Sequence, residues 1–116
     1  MNEDPDCLFC KMARGAFPVD KLHDDGLAFA IRDINPRAPT HVLVIPKQHI
    51  ASARDLTLEH GPLMGHLYFI ANKLMDDLGH GESGYRLTIN VGADGGQTIY
   101  HLHMHVLAGR PLGAEG

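Results

Sequence analysis

His101-Leu102-His103-Met104-His105-Val106-Leu107 decides the fold, because imidazole and aliphatic side chains alternate along it without a break. In a β-strand, side chains i, i+2 and i+4 share a face, so three imidazoles line up at roughly 7 Å intervals. Leu102, Met104 and Val106 then enter the core. One face carries chemistry and the other packs. A strand with a merely solvated polar face is the plain alternative, but three histidines in register after a glycine-rich loop argue against it.

That loop, Asn90 to Thr98, precedes the histidine strand. Its glycines let backbone N–H groups converge on an anion without Cβ interference, although hairpin loops are often glycine-rich for conformational reasons alone. Its position beside the imidazoles favours the anion reading, and Gln97 and Thr98 add an amide and a hydroxyl at the rim. Imidazole serves as base, metal ligand or nucleophile. A metal held by the three histidines would want carboxylates nearby, and the one acid close in sequence is Asp94. Attack on phosphorus fits better: a neutral ring nitrogen attacks, loop donors stabilise the oxyanions, and a second histidine supplies a proton to the departing group. That scheme needs no cofactor.

Working outward, Cys7 to Arg14 predicts a short helix stopped by Gly15, with Pro18 beyond it. Leu27 to Arg32, His41 to Pro46 and Tyr85 to Val91 read as strands. Leu63, Leu67, Ile70, Leu74 and Leu78 form one face at helical spacing, the principal helix, ended at Gly79. The order helix, strands, long helix, strands gives an α+β domain, an antiparallel meander with helices on one face.

Composition narrows the function classes. The chain has 116 residues, 44% hydrophobic and 21% charged, and a net charge of -4. One small domain with a real core follows. The acidic balance argues against a nucleic-acid-coating surface, and no apolar stretch approaches the roughly 18 residues a membrane helix needs. The opening Met1-Asn2-Glu3-Asp4-Pro5-Asp6 lacks a basic and then apolar leader, which predicts a cytoplasmic, reducing setting. Nine histidines in so ordinary a balance remain to be explained.

His101 to Leu107, with Phe29-Ala30-Ile31-Arg32-Asp33-Ile34, Ala38-Pro39-Thr40-His41-Val42-Leu43-Val44-Ile45-Pro46-Lys47 and Gly95-Gly96-Gln97, resembles the histidine triad (HIT) superfamily. The likeness is to its Hint branch and runs from about Cys10 to Arg110. It implies a HIT-like α+β fold: a five-stranded antiparallel sheet with one long helix and a short N-terminal helix. It also implies one domain over residues 1–116, with its core at about 7–110. The resemblance further implies a homodimer, paired through the long helix and the strand edge, that hydrolyses purine nucleoside phosphoramidates. These are conjugates of AMP or GMP, of the adenosine 5'-monophosphoramidate type, cleaved through a nucleotidyl-histidine.

By place in the motif, His103 would be the nucleophile. His105, Gln97, Thr98 and the Gly96 backbone would hold phosphate oxygens, and Asn90 would line the phosphate site. Asp33 matches the acid that accepts hydrogen bonds from both ribose hydroxyls. His41 would lie behind the triad in a proton relay. Ile34, Phe29 and Leu27 sit where the family packs apolar residues around the base, with core packing an equal alternative. Thr98 replaces the usual serine, and the chain ends without the tryptophan-bearing tail of eukaryotic relatives. Dinucleoside polyphosphate hydrolysis, nucleotidyl transfer and regulatory nucleotide binding with incidental hydrolysis stand as rival functions.

Cys7-Leu8-Phe9-Cys10 has the spacing of half a zinc site and needs two further ligands. Similarity to some bacterial relatives and to galactose-1-phosphate uridylyltransferases offers His49 and His101, which would make His101 a structural ligand rather than an acid. An unmetallated buried pair and a redox pair are the competing readings. His23, His60, His66 and His80 are expected at the solvated surface.

Overall fold

Five strands, β1 (His23–Asp24), β2 (Ala28–Arg32), β3 (Thr40–Pro46), β4 (Tyr85–Thr88) and β5 (Met104–Ala108), form one sheet in the order β1-β2-β3-β5-β4. Every neighbouring pair is antiparallel. This is a computed structural model, and it describes residues 4–114. Helix α1 (Leu8–Ala13) precedes the sheet, and α2 (Gly61–Asp77) connects β3 to β4 after two 3₁₀ turns at Ala53–Asp55 and Leu58–His60. None of the described helices is long and apolar enough to cross a membrane.

The pleat divides the sheet into two cores. Ala28, Ala30, Val42, Val44, Met104 and Val106 pack against Leu67, Ile70, Ala71, Leu74 and Met75 of α2. The alternate residues Phe29, Ile31, Leu43 and Ile45 pack against Phe9 and Met12 of α1. The helices therefore lie on opposite faces, which corrects the expectation of helices on one face. Both faces of the central strands are buried, so β3 reads as a continuous apolar run rather than an alternating one.

Helix α2 begins with Pro62 in its first turn and stops before Gly79, whose φ of 87° is open to glycine at little cost. The histidine strand is shorter than its alternation suggests. Ladder pairing ends at Val44–Met104, and continuing the register would set Leu102 against Pro46, which has no N–H to donate. Leu102 N donates instead to Ile50 O (2.7 Å). Side-chain alternation survives the end of the ladder, with Leu102 buried in the α2 core. β4 likewise ends at Thr88 rather than Val91, and the two-residue β1 adds a strand before those read from the sequence.

Candidate active site

The α1 side of the sheet carries the imidazoles. Leu43 pairs with His105 and His41 with Leu107 across β3 and β5, so His41 and His105 share a face and meet. His41 Nε2 lies 2.9 Å from His105 Nδ1 and 3.4 Å from Asp33 Oδ2. The backbone N–H of Arg37 donates to His41 Nδ1 (3.1 Å), which places the His41 proton on Nε2. His105 Nδ1 is then an acceptor, approached also by Arg37 Nη2 at 3.4 Å, and the His105 proton sits on Nε2. His103 has the opposite arrangement. Its Nδ1–H donates to the His101 carbonyl (2.8 Å), leaving the Nε2 lone pair free.

Burial pushes His105 from its ordinary value down to about 4, with the neighbouring His103, His41 and Arg37 acting in the same direction and Asp33 against. Burial also lowers His41, opposed by the Asp33 charge. His105 is thus a neutral donor near pH 7.

His103 and His105 line a cavity of about 570 Å³, together with Asp33, Asn90, Gly96 and Thr98. Met12, Ile31, Leu43 and Ile99 supply an apolar wall, and Arg32, Asn35 and Arg37 add polar groups at other points of the lining. A volume in the range of small-molecule sites with a few convergent polar groups is the usual form of a ligand pocket. Ile34 lines it too and is 91% exposed, so it is not a core residue.

Several expected contacts fall elsewhere. Gln97 is buried, and its amide joins the loop to its neighbours: Nε2 donates to Ala51 O (2.8 Å) and Ile99 O (3.1 Å), and Oε1 accepts from Gly92 N (3.0 Å). It does not line the cavity. The Gly96 N–H is engaged by Ala93 O (3.1 Å), so this glycine contributes its φ of 86° to the turn rather than a phosphate donor. Asn90 Nδ2 donates to Gly95 O (2.7 Å), fixing the loop from the cavity wall. Thr98 N–H and hydroxyl have no partner among the described residues. Phe29 is buried core, and Leu27 is exposed away from the cavity.

Residue-type reasoning missed Ile31, Leu43 and Arg37. Strand parity could have found the first two, since Ile31 shares a face with Asp33 and Leu43 stands opposite His105. No motif marks Arg37.

A second cluster lies behind the site. Cys7 Sγ, Cys10 Sγ, His49 Nδ1 and His101 Nδ1 all lie within 4.8 Å of one another. His101 Nδ1 is 3.3 Å from Cys7 Sγ, 3.6 Å from Cys10 Sγ and 3.1 Å from His49 Nδ1. Metal–donor bonds of about 2.0–2.3 Å in a tetrahedron put donors roughly 3.3–3.8 Å apart, so the set fits a cation such as zinc. The His101 Nε2–H donates to Pro46 O (2.7 Å), which directs the Nδ1 lone pair inward. Burial pushes His101 down to about 4, the Pro46 carbonyl opposing and His49 and His103 reinforcing. Phe9 of α1 sits edge-on to both His101 and His103, with centroids at 5.7 and 5.3 Å.

The four histidines expected at the surface all have partners. His23 and His66 each place Nε2 2.7 Å from Asp25 Oδ2. His80 meets Thr40 Oγ1 at 2.8 Å, and His60 accepts from Thr57 N (2.9 Å).

The chain matches the HIT domain family over residues 14–112. It is 44% identical over 106 residues to the purine nucleoside phosphoramidase of Escherichia coli K12, a match spanning 91% of this chain and 89% of that one. The crystal structure of a HIT family hydrolase from Legionella pneumophila superposes with a TM-score of 0.90 at 45% identity, covering 91% of this chain and 95% of that one. A histidine triad protein from Clostridium difficile gives 0.94 at 39% identity, covering 98% and 99%.

Proposed function

Because the chain belongs to the HIT domain family and is a hydrolase of that family, we propose that it cleaves purine nucleoside phosphoramidates, conjugates of AMP or GMP with an amine. The observation that carries this is the pair of opposed tautomers: His103 offers a lone pair on Nε2, and His105 offers a proton on Nε2, in one cavity. In the first step His103 Nε2 bonds to the α-phosphorus, the P–N bond breaks with its electron pair going to nitrogen, and the departing amine takes a proton through His105. In the second step water attacks phosphorus, the His103–P bond breaks back to Nε2, and the water's proton restores the relay.

His41 holds the His105 tautomer by donating from Nε2 to His105 Nδ1, and Asp33 Oδ2 beside the same nitrogen keeps that proton on Nε2. The second face of Asp33 serves the ribose hydroxyls, and Ile34, Ile31 and Leu43 take the base. Thr98 donates to the phosphate through its N–H and hydroxyl.

The reaction uses no cofactor. Zinc on Cys7, Cys10, His49 and His101 is assigned a structural role, and no disulfide joins the two cysteines, which suits a reducing cytoplasm. A homodimer through α2 and the open edge of β4 is supported by Tyr68 and Phe69, exposed on α2.

Replacing His103 with Ala tests the chemistry. Hydrolysis of adenosine 5'-phosphoramidate should fall at least about a thousandfold while AMP still binds, and rapid quenching of wild type should trap a nucleotidyl protein. A His103→Ala rate within tenfold of wild type would overturn the mechanism.

A further inference from the structure

The catalytic cavity does not end at His105. A second cavity of about 370 Å³ continues from it, and His105, Asn90 and Arg37 line both. Arg86 and Arg110 join Arg37 in its lining, and among the described residues no Asp or Glu does. In a chain of net charge -4 this is a local concentration of positive charge rather than a general one.

Strand register explains how it arises. Thr88 stands opposite His105 and Arg86 opposite Leu107, and directly opposed residues share a face of the sheet. Arg86 therefore lies on the imidazole face, one pleat repeat, roughly 7 Å, beyond His105 and on the side away from His103.

The arginines also hold the C-terminal segment as the outer wall. Arg86 Nη2 donates to Gly113 O (2.5 Å), and Arg110 donates to Arg37 O (2.8 Å) and Pro111 O (3.1 Å). Each guanidinium has five N–H donors, so these bonds leave others for a ligand. The space under the tail persists with these bonds made.

We propose that this arginine-lined cavity receives the leaving group and selects leaving groups that carry an oxyanion, a carboxylate or a phosphate, attached to the departing amine. The inference rests on His103 as nucleophile. In-line displacement requires the departing atom to leave on the side opposite the attacking nitrogen. The apolar wall of the first cavity, with Asp33, takes the nucleoside. The proton donor His105 stands at the junction of the two cavities, where the departing nitrogen must pass. An oxyanion a few bonds beyond that nitrogen reaches Arg86, Arg110 and Arg37, which offer charge-assisted hydrogen bonds. The bond broken is the same P–N bond, and nitrogen takes its proton through His105 as before.

The experiment compares matched adenosine 5'-phosphoramidates: β-alanine (carboxylate), β-alaninamide (neutral) and aminoethyl phosphate (phosphate). For wild type, kcat/KM on one or both anionic conjugates should exceed that on the neutral one about tenfold, corresponding to about 1.4 kcal/mol. The larger ratio identifies the oxyanion. Arg86→Gln and Arg110→Gln should each bring the anionic-to-neutral ratio towards one, and Arg86→Lys should restore part of it.

Equal wild-type rates on anionic and neutral conjugates overturn the proposal and leave the hydrolase assignment standing. Variants that slow all three conjugates alike also overturn it, since they assign the arginines to the tail alone. Failure of wild type to hydrolyse any conjugate removes the phosphoramidase reading itself, and the inference with it.

Discussion

Each imidazole around the site has one ring nitrogen engaged by the protein, and that engagement determines what the other can do. The His101 carbonyl takes the His103 Nδ1 proton, and Arg37 N–H and His41 make His105 Nδ1 an acceptor. The HIT spacing shows that three imidazoles share a face. It does not show these tautomers, because the carbonyls and N–H groups that set them come from residues 37 to 46 and from the backbone of the motif itself. Gln97 shows the limit of residue-type reasoning in the other direction. An amide at a phosphate rim suggests a ligand, yet all its bonds run to Gly92, Ala51 and Ile99. Gln97→Ala removes the partners of a partly buried N–H and two partly buried carbonyls, at a cost of about 1–3 kcal/mol. Urea unfolding should show that loss in the nucleotide-free protein; a stability equal to wild type, with only AMP affinity reduced, would return Gln97 to the ligand set.

At the scale of elements, α1 is the piece whose position needs the most explanation. Six residues are too few to hold a helix by backbone bonding alone. Phe9 and Met12 anchor it in the apolar core, and Cys7 and Cys10 bring it to His49 and His101. Its placement on the face opposite α2 could not be read from its own pattern, since a short apolar run can serve either face of a sheet buried on both. The same double burial left β3 legible as a strand but not its facing. The four-residue cluster links this element to the chemistry, because Phe9 packs edge-on to His103. With zinc bound to the intact protein, amide exchange over residues 7–14 should be slowed at least about tenfold relative to chelator-treated protein, and Cys7→Ser should abolish the difference. Metal analysis of protein purified without chelator should give about one zinc per chain. Identical exchange with and without metal would reduce the cluster to an unmetallated thiol pair.

Across the whole molecule, the sheet's far edge is tied to α2 by a side-chain clamp that no motif or spacing announces. Asp25 follows β1, His23 lies in β1 and His66 lies on α2, far apart in sequence and joined at one carboxylate oxygen. The other oxygen accepts from Leu27 N (2.7 Å) and Ala28 N (2.9 Å), which shapes the turn into β2. Partial burial acts to raise the Asp25 carboxyl, but the hydrogen bonds from His23, Leu27, His66 and Ala28 outweigh it and hold the group well below the usual carboxylate range. A carboxyl whose folded value is depressed binds protons more readily in the unfolded chain. Its stabilisation is therefore complete above the unfolded value near 3.9 and fades as pH falls below it. Asp25→Asn keeps an acceptor for the turn but removes the charge, at a cost of about 1–2 kcal/mol near pH 7. The melting temperature should drop by roughly 4–8 °C there. Repeating the melts at steps from pH 7 to pH 3 should leave the gap constant down to about pH 5 and then narrow it, as wild type protonates Asp25 on unfolding. A gap that widens in acid would mean that the two histidines, and not the carboxylate, carry the clamp.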